Sequence, residues 1–145
     1  MVGRRRRYRF ADTAQQVVGG FLLAGPFVVT EEVWLLASQM AWPHTLATTL
    51  VVFGIGYGAL YEADVDRDPD READVAGVPV RFVSLMAVAF GSVLVLALAL
   101  NAPWTFATQL DLGTETPVLV PLTAKATAVG AIFSVVGAAT ADSVF

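Results

Sequence analysis

Two adjacent carboxylates, Glu31 and Glu32, interrupt a long uncharged stretch. No Asp, Glu, Lys or Arg occurs from Thr13 to Thr30 before them or from Val33 to Tyr61 after them. Ionisable groups at membrane depth are expensive and face a partner, a cavity or a permeation path. The basic residue that matches them in depth is Lys125, about 10 Å into the last apolar segment, which begins near Val118. An ion pair of Lys125 with Glu31 or Glu32 would satisfy both segments. Neighbouring residues point about 100° apart on a helix, so the other glutamate faces elsewhere and is the better candidate for binding a proton or a small cation. A second reading leaves both glutamates in water. Thr13 to Thr30 covers about 27 Å as a helix, nearly a bilayer core, which puts the pair at the headgroup boundary and lets Lys125 snorkel outward. Pro26, just before the pair, removes an N–H and bends the helix there.

The elements that must position these groups are apolar helices. The chain is 56% hydrophobic and 15% charged, with mean hydropathy +0.64; soluble domains run at about 45–50% and 25%. Its 145 residues suit one integral membrane domain, 1–145. Four segments reach the roughly 20 apolar residues of a membrane span: about 13–37, opened by Asp12 as N-cap, then 44–61, 80–100 and 118–141. Pro121 falls near the start of the fourth, where a missing N–H costs little. The fold expected is an all-α, four-helix transmembrane bundle. The N-terminal Arg4–Arg7 and Arg9 resemble a signal peptide, but the apolar run behind them is too long and no small-residue cleavage site closes it, so the first span is expected to be retained.

Five arginines in the N-terminal tail and Arg67, Arg71 and Arg81 around the charged loop 62–79 contrast with two other loops that hold no basic residue. The positive-inside rule therefore places both termini and that loop in the cytoplasm, with Trp42 and Trp104 in the outer aromatic belt. Arg81 opens span three and Asp142 closes span four at matching depth, which predicts an inner-face ion pair; Asp12 with the arginine tail offers another. As surface pairs these contribute about 0–1 kcal/mol. Small residues at helical spacing, Gly20 with Ala24, Gly54 with Gly58, Ala87 with Gly91, and Gly130 with Ser134 and Ala138, let helices approach closely in lipid, within one bundle or between copies in a homo-oligomer.

Several chemistries are excluded or weak. There is no cysteine, and His44 is the single histidine, so no thiolate site, histidine metal cluster or catalytic triad can be assembled, and no cofactor or metal is implied. The loop acids Asp64, Asp66, Asp68, Asp70 and Glu72 alternate like a calcium loop, but Pro69 and Val75 occupy the turn-glycine and bidentate-glutamate positions. The arginine run suits topology and anionic lipid better than nucleic acid. An acidic, lysine-poor balance suits high salt.

The segments GGFLLAGPFVVTEEVW from Gly19 and GAIFSVVGAATADSVF from Gly130 resemble the domain-of-unknown-function 2391 family of prokaryotic integral membrane proteins, haloarchaeal in type. That resemblance covers nearly the whole chain and implies a small multi-pass protein of the cell membrane; it carries no catalytic residues. The loops are too short for an enzyme domain. The functional expectation is a small oligomeric channel or ion- or proton-coupled transport protein using Glu31 or Glu32 with Lys125. The alternative is a non-transporting membrane assembly, scaffold or sensing module.

Overall fold

The computed structural model describes residues 10–62 and 74–144. The first apolar segment is a broken helix rather than one span. Helix α1 (Phe10–Val28) and helix α2 (Glu31–Gln39) meet at an angle of 80°. Pro26 cannot donate to the Leu22 carbonyl, and two residues later the chain leaves the helix. Thr30, in extended backbone, restarts it, with Glu31 and Glu32 in the first turn, where the macrodipole favours negative charge. Two hydrogen bonds hold the elbow. The Thr30 hydroxyl donates to the Phe27 carbonyl at 3.1 Å and the Trp34 indole N–H donates to the Val28 carbonyl at 2.8 Å, satisfying acceptors that a helix end otherwise leaves free.

Helix α3 (Trp42–Tyr57) starts with Pro43 in its first turn, and its N-cap Ala41 N–H donates to His44 Nδ1 at 3.0 Å. It runs on as a π-helical turn, Gly58–Glu62. A minimal hairpin, β1 (Asp74–Val75) with β2 (Val78–Pro79), turns through Ala76 and Gly77 at positive φ and feeds directly into α4 (Val80–Ala99). The loop expected after the third span contains a further helix, α5 (Ala102–Gln109), launched by left-handed Asn101. Helix α6 (Thr116–Val144) is the longest, so Pro121 lies inside it rather than in its first turn.

Helix α6 is the axis: α1, α2, α3, α4 and α5 all pack on it, and α1 and α4 also pack on each other. The start of α1, the start of α4 and the end of α6 meet at one end, called proximal below. At the distal end α2 and α5 pack together, with Trp34 stacked on Phe106 at 5.7 Å. Among the described residues three helices are long and apolar enough to cross a membrane, Trp42–Glu62, Val80–Ala99 and Thr116–Ser143; the bent α1–α2 pair makes four if it counts as one span. The architecture is an all-α membrane bundle.

Glycines decide how closely these helices approach. A Cβ on Gly19 would run into the Gly137 carbonyl oxygen, and one on Gly137 into that of Gly19, so α1 and α6 touch backbone to backbone. Gly20 faces Ser92 and Ser134, and Gly130 faces Val93. Gly54, Gly58 and Gly91 differ from the expectation of packing within the bundle: an added Cβ there meets nothing within 4 Å. Gly56, two residues from each of Gly54 and Gly58 and so about 200° round the helix from them, carries the α3 contact to Leu85, Met86 and Val135. Gly137→Ala is expected to cost about 1–3 kcal/mol, because helix backbones cannot shift without undoing neighbouring contacts. Gly54→Ala should stay within about 0.5 kcal/mol, both read from unfolding in detergent.

A buried charge cluster as candidate functional site

Three helices deliver charged and polar side chains to one point at the proximal end. Arg81, in the first turn of α4, is 1% exposed, and Asp142, in the last turns of α6, is likewise 1% exposed. Arg81 Nη1 donates to Asp142 Oδ1 at 2.6 Å, and Nη2 donates to Asp12 Oδ2 of α1 at 3.3 Å. Each partner of the shorter pair sits at the helix end where the macrodipole disfavours its charge: a cation at an N-terminus, an anion at a C-terminus. Pairing them relieves both.

The cluster extends into the bundle through neutral groups. Gln16, fully buried one turn after Asp12, donates from Nε2 to Asp142 Oδ2 at 3.1 Å and accepts at Oε1 from the Ser84 hydroxyl at 2.7 Å. Thr13 Oγ1 lies 3.4 Å from Ser84 Oγ. Further along, Ser92 and Ser134 hydroxyls are 2.7 Å apart, and Ser134 donates to the Gly20 carbonyl at 3.1 Å. Beyond that point the shared interior of α1, α4 and α6 is built from Ala24, Val28, Val93, Ala97, Ala126 and Val129. The polar interior therefore reaches about half-way along the bundle and stops against an apolar plug.

Arg81 and Asp142 meet as a pair, but a buried one, so the surface value of about 0–1 kcal/mol does not apply. Asp12 pairs with Arg81. Glu31 and Glu32 are exposed on α2, and among the described residues neither pairs with Lys125. Lys125 is half-buried with its ammonium over the Trp42 ring, 4.8 Å from the centroid, a cation–π contact in place of the expected carboxylate. The 80° elbow carries the glutamates away from the axis of α1. Gly20, Gly130 and Ser134 stand at helix contacts; Gly54, Gly58 and Gly91 face outward. The acids Asp64 to Glu72 and the arginines Arg4 to Arg9 lie outside the described residues.

Sequence reasoning missed Gln16, Ser84 and Gly137. A signal existed for each. Gln16 is four residues from Asp12, and Ser84 three from Arg81, so each helix shows a polar pair on one face at one depth. Gly137 is seven residues, about two turns, after Gly130, hence on the same face. No group of three or more potential metal ligands exists among the described residues.

A family model described as "Putative integral membrane protein (DUF2391)" matches residues 3–144. The chain belongs to this family. Comparisons with curated proteins and with solved structures gave no match. Family membership makes the bilayer the surroundings of the apolar helices, and it makes a buried Arg–carboxylate cluster costly to break. Arg81→Met strands Asp142 as a buried anion and is expected to lose about 3–5 kcal/mol. Pairing it with Asp142→Leu should recover a large part of that loss in detergent unfolding; a double variant as unstable as the sum would show that the two residues do not act as a pair.

Proposed function

We propose that this chain is a single-domain, multi-pass module of the cell membrane that does not itself transport solute, and that serves as an assembly, scaffold or sensing platform. Both termini and the segment 62–79 then face the cytoplasm, in line with the arginines of the tail and loop. The observation that carries this reading is the apolar plug. The connected buried polar groups end at Ser92 and Ser134; distal to them the core shared by the helices is apolar, and the buried hydroxyl of Thr127 there is taken up by the Thr123 carbonyl. A helix of 19 residues covers about 28 Å, so α1 alone nearly crosses the hydrocarbon. Glu31 and Glu32 then belong to the far headgroup boundary, with α2 lying along it.

An oligomeric channel, with Glu31 or Glu32 lining a path between copies and Lys125 as counter-charge, is the second reading. What favours it is the outward placement of Gly54, Gly58 and Gly91, which leaves small-residue faces free to pack against another copy.

Proton and cation flux into proteoliposomes separates the two. The first reading expects no flux above that of empty vesicles for wild type, Glu31→Gln or Glu32→Gln. Wild-type flux lost in either variant would replace it with the channel. The platform also expects that cross-linkers placed from Arg4 to Arg9 in native membranes capture one specific protein partner.

A further inference from the structure

The outer halves of α4 and α6 part beneath α5 to form a cleft of about 560 Å³. Its walls are almost wholly apolar: Leu94 and Leu98 from α4, Val120 and Ala124 from α6. The hydroxyl of Thr127, at its inner end, is engaged by the Thr123 carbonyl at 2.7 Å. Trp104 and Thr116 line its distal end. Leu94, Leu98 and Val120 are 40%, 50% and 61% exposed, so the cleft opens sideways, toward the surroundings of the bundle.

Its dimensions select among occupants. Thr116 and Thr127 are eleven residues apart on α6, about 16 Å. That is half of a roughly 30 Å hydrocarbon core, the depth of one leaflet. A helix about 10 Å across and of this length displaces on the order of 1,200 Å³, more than the roughly 1,040 Å³ of empty space between the walls with the open side counted. A hydrocarbon tail about 4.5 Å wide, the contact distance between carbons, displaces roughly 250 Å³ over the same length. The amphipathic Trp104 at the distal end matches the level of lipid headgroups, where indoles concentrate.

We infer that this cleft is a lipid site that holds a hydrocarbon tail of a membrane lipid from the distal leaflet, with its headgroup beside Trp104 and Thr116. A tail seated there is contacted by protein from three helices, whereas a tail in the bulk leaflet meets only other tails, so the site retains its lipid when the surrounding bilayer is removed. This holds whether the module transports or not.

The test uses the full chain in nanodiscs of palmitoyl-oleoyl phosphatidylglycerol, released into the gas phase for native mass spectrometry. Wild type is expected to keep one lipid per chain. Ala124→Trp and Val120→Trp, both at exposed positions, fill the cleft and should cut that occupancy about tenfold. Val136→Trp, on an exposed part of α6 away from the cleft, should leave it unchanged, with circular dichroism showing all three folded. Equal lipid retention in wild type and the cleft variants, no retained lipid on folded wild type, or a wild-type dimer that the cleft variants abolish would each overturn the assignment.

Discussion

Two residues without side chains, Gly19 and Gly137, let α1 and α6 meet at their backbones, and the polar interior depends on that contact. It fixes the register of two antiparallel helices. One turn toward the proximal end, Gln16 comes level with Asp142; one residue the other way, Ser134 reaches the Gly20 carbonyl. A separation wider by a methyl group would stretch both hydrogen bonds beyond useful length. In lipid, where apolar burial does not pull helices together, such close contact and the hydrogen bonds that it permits are what remain to specify the bundle.

The charge cluster specifies more than it stabilises. Well-packed apolar residues replace buried ion pairs at little cost in many proteins, so the stability held by Arg81, Asp12 and Asp142 lies in the penalty for breaking the set. What the cluster does supply is uniqueness. One guanidinium satisfied by carboxylates on two other helices admits a single rotation of α1, α4 and α6 about their axes, where an apolar surface would admit several. The same logic explains the elbow, where the Trp34 indole fixes the angle between α1 and α2 through one carbonyl.

Length and hydropathy made the long helices legible: α4 is Val80–Ala99, where a span was expected at 80–100. Faces were far less legible. A soluble helix declares its buried side by the contrast of apolar and polar residues, but in lipid the outward side of a helix is apolar too, so nothing in Gly54, Gly58 or Gly91 distinguishes a lipid-facing glycine from a packed one. The break in the first segment was half legible. Pro26 announced a bend, while Thr30 followed by two acids is also the pattern of a new helix N-terminus, which weighing those acids only by depth, within the membrane or at its boundary, obscured. Helix α5 was hidden by its shortness and its proline, although Asn101 then Pro103 is a helix start as well as a loop.

The pairing of α1 with α6 also dictates an order of events during synthesis. Between them in the chain lie α2, α3, α4 and α5, so the glycine face of α1 is made long before its partner exists. By hydropathy α1 qualifies as a span only together with α2, whereas α3, α4 and α6 qualify unaided. Helix α1 can meet α4 first, through Asp12 with Arg81 and Gln16 with Ser84, while the Gln16 amide N–H still waits for Asp142 of α6. The backbone contact of Gly19 with Gly137 therefore forms after α3 and α4 are made rather than before them.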